Sequence, residues 1–139
     1  MARNKSTITV ATIVNASIEK VWQCWTDPVH ISGWAFESSD WKVRDPENDL
    51  RVGGKFKITT EAKDGSASVD FSGTYTAVEK PNLIKYDIDD SRHVKIEFSQ
   101  TPMGVRVVET FDPEDENSEK TQNDSWQATL DNFKKYVER

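Results

Sequence analysis

Apolar and polar residues alternate along most of the chain, and the period of the alternation is two in some segments and about 3.6 in others. Runs of period two, rich in β-branched and aromatic residues, are typical of half-buried strands. They predict strands near residues 7–14, 41–43, 55–60, 69–75, 83–88, 93–98 and 105–111. Turn signals separate these runs, among them Asp64-Gly65 and the segment 46–49. Successive hairpins predict an antiparallel sheet with one apolar face.

Three segments have the helical period. Ser17 and Asp27 are good N-caps for two short helices that follow the first strand, and Pro28 occupies a first helical position. The last helix is predicted to begin at Ser118, although Asn117 could cap it equally well. Its apolar stripe consists of Gln122, Trp126, Leu130, Phe133 and Val137. A long helix with one such stripe needs a concave partner. The sequence therefore predicts an α+β fold, with a curved antiparallel sheet wrapped around the C-terminal helix.

Length and composition narrow the class of protein. The 139 residues suit one domain, 1–139, in which the polar residues 1–6 form a loose tail. The lone Cys24 and the lack of a signal peptide or membrane-spanning run place the protein in the cytoplasm. A net charge of -6 disfavours nucleic acid as a partner. The acidic segment 112–119 is interpreted as a solvated connector, and a docking site for a basic partner is the alternative.

The sequence carries no convincing catalytic, metal or cofactor constellation. His30 and His93 lie far apart and lack further ligands at metal spacing. Cys24 has too little positive charge around it for a reactive thiolate, so we interpret it as structural. Gly53-Gly54 opens a strand instead of a helix, which favours a sharp bend over a phosphate-binding loop. We therefore expect no cofactor and no metal, and a binding protein in preference to an enzyme.

Glu109 is the strongest candidate for a working polar group. Alternation places it on the same strand face as Val107 and Phe111, toward the long helix. Burial there would raise its pKa and suit it to accept a proton or to orient a polar ligand group. The interpretation that we favour from the sequence, however, is that the strand twists or bulges and leaves Glu109 at a cavity mouth, paired with a basic residue such as Arg92 or Arg106.

A ligand cavity between sheet and helix would be mainly aromatic with a few polar groups. Tyr75, Tyr86, Gln122 and Thr129 are the candidates for those polar groups, while most of the aromatic side chains are interpreted as ordinary core. The full set of candidate cavity residues is Trp34, Phe36, Trp41, Phe56, Ile58, Phe71, Tyr75, Tyr86, Phe98, Glu109, Gln122, Trp126, Thr129, Leu130 and Phe133.

An ordered series of segments resembles the homologues of the activator of the heat-shock protein 90 ATPase, within the START-like or Bet v-like superfamily. The segments are VWQCWTDP at 21–28 with Trp34, DLRVGGKF at 49–56, FSGTY at 71–75, VKIEF at 94–98, ETFD at 109–112, and SW at 125–126 with LDNF at 130–133. Together they span nearly the whole chain. Ser91 and Ser125 depart from the pattern, because relatives commonly carry Gly there.

The resemblance implies a helix-grip fold with an internal cavity, and an association with the stress response. It leaves three functions open. The first is noncatalytic binding of a small, mainly apolar molecule. The second is stimulation of the heat-shock protein 90 ATPase through an outer surface, and the third is an enzyme of the cyclase or hydrolase type that uses the cavity and Glu109. Related proteins often pair, so a homodimer is also open.

Overall fold

The computed structural model describes residues 6–139, so residues 1–5 of the expected tail lie outside the described residues. In chain order the elements are β1 (Ile8–Val14), α1 (Ile18–Thr26), α2 (Pro28–Ile31), β2 (Trp41–Asn48), β3 (Lys55–Ala62), β4 (Ser68–Glu79), β5 (Leu83–Ile88), β6 (His93–Thr101), β7 (Gly104–Phe111) and α3 (Glu119–Glu138). The α+β architecture and the two short helices after the first strand are confirmed.

The seven strands form one curved antiparallel sheet in the order β1-β7-β6-β5-β4-β3-β2. Strands β2 to β7 pair with their neighbours in sequence, whereas β1 pairs with β7. Strands β1 and β2 are therefore the two edge strands of the sheet. Alternation buries one face. On β7, for example, Val105, Val107 and Phe111 are each no more than 1% exposed.

The helices begin where side-chain caps satisfy free backbone donors. The hydroxyl oxygens of Ser17 and Ser118 accept hydrogen bonds from the N–H groups three residues on, at 3.2 and 3.1 Å. A carboxylate oxygen of Asp27 accepts from the N–H of Val29 at 3.0 Å, and Pro28 begins α2 as predicted. The long helix begins at Glu119 with Ser118 as its cap, so the expected start at Ser118 is confirmed and Asn117 is not the cap.

The apolar stripe of α3 packs against the concave face of the sheet and against α1. Leu130, Phe133 and Val137 are almost completely buried. Two polar side chains tie the same helix to the β1 edge: Gln127 Nε2 donates to the carbonyl of Ala11 at 3.1 Å, and Lys134 Nζ donates to that of Ile13 at 2.7 Å. The helix is thereby fixed along one edge of the sheet.

One predicted turn is wrong. The sequence predicts a turn at 46–49, but β2 continues through the first three of these residues to Asn48, with a shift of register between Arg44 and Glu47. Asp45 has a φ of 45° at this bulge. Strand β2 is an edge strand, and Pro46 lies at its bulge. The N–H group that proline lacks is therefore not needed for a hydrogen bond within the sheet. The turn comes later, where Gly53 has a φ of 83°.

Candidate functional site

A pocket of about 330 Å³ lies between the sheet and the N-terminal half of α3. Its walls come from α1 and α2, from the segment that follows α2, from β2 to β5, from β7 and from α3. The lining residues are Trp25, Ile31, Trp34, Ala35, Phe36, Glu37, Trp41, Glu47, Asn48, Phe56, Ile58, Thr60, Val69, Phe71, Tyr75, Ile84, Tyr86, Glu109, Ser125, Trp126 and Thr129. Exposed Glu37, Glu47 and Val69 form its rim.

Aromatic rings make up much of the lining and hold one another in place. Phe56 meets Tyr86 edge to face, with ring centroids 4.7 Å apart. Trp126 of α3 reaches the sheet, where it contacts Phe71 at 6.0 Å and stacks on Phe111 at 3.8 Å between ring centroids. Edge-to-face and stacked pairs of this kind add stability beyond the area they bury. The walls of the pocket are therefore apolar and well packed.

Glu109 lies on the inner face of β7, and its side chain is only 5% exposed. The strand is regular on both sides, because β7 pairs with β1 and β6 without a change of register. The favoured interpretation, in which β7 twists or bulges and leaves Glu109 at a cavity mouth paired with an arginine, is therefore wrong. Arg92 instead pairs with Asp90, with 2.8 Å between Nε and Oδ2.

No described residue forms an ion pair or hydrogen bond with the Glu109 side chain. No buried side-chain oxygen among the described residues lacks a hydrogen-bond partner, so the unpartnered carboxyl oxygens of Glu109 must retain open space. The pocket supplies that space. Burial away from water penalises the charged form and raises the pKa of Glu109 to about 8. Near neutral pH the group is therefore mostly a neutral acid that opens onto the pocket.

Two tyrosines occupy the same region with different partners. The Tyr75 hydroxyl donates to Oδ1 of Asn48 at 2.5 Å, and Asn48 Nδ2 donates to the carbonyl of Thr26 at 2.6 Å. This chain joins the end of α1 to β2 and β4. Burial, together with the neighbouring Glu109 carboxyl, raises the pKa of Tyr86, so its hydroxyl stays neutral. No hydrogen bond of the Tyr86 hydroxyl forms with any described residue.

Eleven of the fifteen candidate cavity residues line the pocket, and four lie elsewhere. Phe98 and Phe133 pack edge to face against Trp25, at 5.6 and 4.8 Å between centroids, in the core beneath the short helices. Leu130 is fully buried in the same core. Gln122 faces the loop before α3, where its Oε1 accepts from the N–H of Glu114 at 2.8 Å.

Several lining residues were missed by sequence reasoning. They are Trp25, Ile31, Ala35, Glu37, Glu47, Asn48, Thr60, Val69, Ile84 and Ser125. The helical spacing of apolar residues could have identified Trp25 and Ile31, since both lie on the apolar faces of the short helices. No sequence signal identifies Glu47 and Asn48 as lining residues, because the composition of 46–49 predicts a turn. Ser125 was noted only as a departure from the family pattern, and it lies at the pocket wall.

The described part of the chain offers little other site chemistry. Within it, no three His, Cys, Asp or Glu side chains gather closely enough to hold a metal ion. Cys24 is buried, and burial raises the pKa of its thiol, which is the opposite of an activated nucleophile. None of the described helices has the length and apolarity needed to cross a membrane.

Comparisons with known proteins agree with this geometry. The sequence model of the family described as "Activator of Hsp90 ATPase homolog 1-like protein" matches residues 15–138. The chain belongs to this family. A search of curated proteins found no match. Membership confirms the resemblance drawn from the sequence segments and is consistent with the START-like, Bet v-like superfamily.

Solved structures of several bacterial proteins share the fold. The chain is 44% identical to an AHSA1-like protein from Aeromonas hydrophila, with a TM-score of 0.91 over 96% of this chain and 92% of that one. It is 47% identical to a protein from Cytophaga hutchinsonii, with a TM-score of 0.82 over 95% and 92% of the two chains. A Chromobacterium violaceum protein at 22% identity, with a TM-score of 0.83 over 97% and 99%, shows the fold alone.

Proposed function

We propose that this AHSA1-type protein binds a small, mainly apolar molecule in the pocket between the sheet and α3. The observation that carries the proposal is the pocket itself, about 330 Å³ in volume and lined mostly by aromatic and aliphatic side chains. Pockets for small molecules usually have volumes from roughly 300 to 1,000 Å³ and combine apolar walls with a few polar groups. Glu109 and Tyr86 are those groups here, and the side chain of neither forms a hydrogen bond with a described residue.

The position of Ser125 gives a direct test. Its side chain lies on α3 at the pocket wall, so Ser125→Leu should fill part of the volume, and leucine favours the helix at least as well as serine. We expect the affinity for an uncharged apolar dye such as Nile red to fall about tenfold or more. Fluorescence titration measures this directly.

Asp124→Leu is the matched control for this test. Asp124 is the preceding residue of the same helix, its side chain is 62% exposed, and it does not line the pocket. We expect this variant to bind the dye as the wild type does. Equal losses in the two variants, or wild-type binding by Ser125→Leu, would argue against the pocket. Native mass spectrometry of protein purified from its own cells should also show a bound small molecule.

Family membership supports a second candidate function, stimulation of the ATPase of the Hsp90 chaperone. Such a partner would engage an outer surface, so the two functions do not compete for the pocket. An ATPase assay with the chaperone of the same organism tests it. We expect stimulation that saturates with added protein and survives Ser125→Leu. No stimulation at saturating protein would rule out this function and leave ligand binding untouched.

A further inference from the structure

The described residues that line the pocket include acids and no bases. Three carboxyl groups line it, those of Glu37 and Glu47 at the rim and that of Glu109 inside. Among the described residues that line it, none is Lys, Arg or His. A pocket for a carboxylate or phosphate ligand would need cationic side chains or aimed backbone N–H groups. The charges of this lining therefore disfavour an anionic ligand.

The carboxyl group of Glu109 is the inner polar feature, and no residue in the described part of the chain pairs with it. The side chain is 95% buried, and its oxygens open onto the pocket without a hydrogen bond from any described residue. A wholly apolar ligand would remove the remaining contact of this carboxyl group with water and supply nothing in return. A ligand that brings a positive charge to Glu109 would give it a partner.

The surrounding rings also suit a cation. Trp126, Phe71, Phe56 and Tyr86 line the same pocket as Glu109. Aromatic faces attract ammonium groups through their quadrupoles, and aromatic cages bind quaternary ammonium ligands in this way. The aromatic rings and the carboxyl group of Glu109 therefore both favour a positively charged ligand.

A second groove adjoins the pocket and extends its negative charge outward. The two share Glu37, Val69, Phe71, Ser125 and Trp126. The carboxylates of this outer groove are Glu37, Asp70, Asp89, Asp90 and Glu114, and Arg92 is its one base among the described residues. That arginine is already paired with Asp90 at 2.8 Å. A groove of one sign raises the local concentration of ligands of the other sign.

From this lining we propose that the ligand is a lipophilic amine or quaternary ammonium compound, whose charged nitrogen pairs with the Glu109 carboxylate and whose apolar part fills the aromatic pocket. The proposal rests on the proposed binding function and names the chemical class of its ligand. The charge of the ligand is what distinguishes it from the uncharged lipids or dyes that would also fit an apolar pocket.

Binding of a cation should be coupled to the proton of Glu109. Because burial raises the pKa of Glu109 to about 8, the carboxyl group of the empty pocket is mostly protonated at pH 7 and must lose its proton to pair with the cation. Binding at pH 7 should therefore release close to one proton. The affinity for a permanently charged ligand should therefore rise with pH. It should level off once the pH is high enough for Glu109 to be ionised before the ligand binds.

Few other titratable groups face Glu109. Tyr86 of β5 and Tyr75 of β4 have pKa values raised by burial, and they stay neutral over this range. Arg92 acts on Tyr86 from the turn after β5. Glu37 and Glu47 stand at the exposed rim. The neighbours of Glu109 on β1 and β6 are Val10 and Ile96, and the pocket residues of α3 are Ser125, Trp126 and Thr129, none of which carries a charge.

The test compares naphthylmethyl trimethylammonium with neopentylnaphthalene, which has carbon in place of the charged nitrogen and nearly the same shape. Fluorescence titrations of the full chain from pH 6 to 9 give both affinities. We expect the cation to bind about tenfold more tightly than its carbon isostere at pH 9, with a smaller preference at pH 6. Calorimetry at pH 7 in buffers of different ionisation enthalpy should show the released proton.

Glu109→Gln should remove the proton release and reduce the preference for the cation to about twofold or less. The matched control is Glu97→Gln, because Glu97 is exposed on β6 and pairs with Lys95 outside the pocket. That variant should keep the wild-type preference. If the isostere binds the wild type as tightly as the cation at every pH, or no proton is released, the charged ligand class is wrong. If neither probe binds, the proposed binding function is wrong, and this proposal with it.

Discussion

At the scale of the residue, the burial of Glu109 opposes the ionisation of its carboxyl group. Its carboxyl group lies on the inner face of β7, between Val107 and Phe111 of the same strand, and has no protein partner in the described chain. Its pKa is raised to about 8 by loss of water. Folding then takes up a proton wherever the group is ionised in the unfolded chain and protonated in the folded one. This residue therefore makes stability depend on pH.

The sign of that dependence can be tested with Glu109→Gln. An unfolded glutamate ionises near pH 4.3, so between about pH 5 and pH 8 the folded wild type holds more protons than the unfolded chain. Its unfolding free energy should fall as pH rises, by about 1.4 kcal/mol per pH unit in the middle of that range, relative to the variant. Urea denaturation from pH 4.5 to 9 measures the difference.

The control for this measurement is again Glu97→Gln, whose exposed side chain should give a difference that varies little over the same range. A constant difference between wild type and Glu109→Gln would contradict the buried, partnerless carboxyl group. So would a difference that moves the other way, because a carboxylate stabilised by an ion pair loses its contribution as pH falls.

Sequence alternation predicts the face on which Glu109 lies, but it cannot predict whether an arginine reaches it. That depends on Arg92, whose partner Asp90 lies two residues away and holds the guanidinium in its own turn. Gln122 shows the same limit on α3. The stripe places it on the buried face, yet the loop before the helix folds over it, and its amide bonds to the backbone of Glu114 instead of reaching the pocket.

At the scale of the element, α2 is a single turn that depends on its cap. Asp27 accepts a hydrogen bond from the N–H of Val29, and the turn carries Ile31 into the pocket wall. Asp27→Ala should lower the unfolding free energy by about 1 kcal/mol, because one donor loses its partner. Urea denaturation measures it. Asp27→Asn keeps the accepting oxygen and should cost clearly less, so equal losses would assign the effect to charge and not to capping.

Strand β2 shows why element boundaries were harder to predict than element types. The proline, acid and amide residues of 46–49 have the composition of a turn, yet an edge strand tolerates a bulge and a missing N–H. Tertiary contacts decide the outcome: Asn48 bonds to the hydroxyl of Tyr75 and to the carbonyl of Thr26. These partners lie more than twenty residues away, so local composition contains no information about them.

At the scale of the whole molecule, the two halves of α3 have different surroundings. Leu130, Phe133 and Val137 in the C-terminal half are buried against the sheet and α1. In the N-terminal half, Ser125 and Trp126 face the pocket, so part of the sheet is separated from the helix by open volume. Side chains next to open volume lose packing contacts on that side. The N-terminal half of α3 should therefore open locally more often than the C-terminal half.

Ligand binding should remove that difference. A molecule in the pocket gives Trp126 and Thr129 the contacts they lack, so we expect amide hydrogen exchange in residues 119–129 to slow about tenfold or more at a saturating concentration of Nile red. In residues 130–138, the exchange rates of amides that exchange through local opening should change little, because the packing of this half is complete without ligand. Exchange followed by mass spectrometry of peptides from α3 measures both halves in one experiment. Ser125→Leu, which fills the same volume from the helix, should slow exchange in 119–129 without dye, and equal protection along the whole helix would contradict a pocket at its N-terminal half.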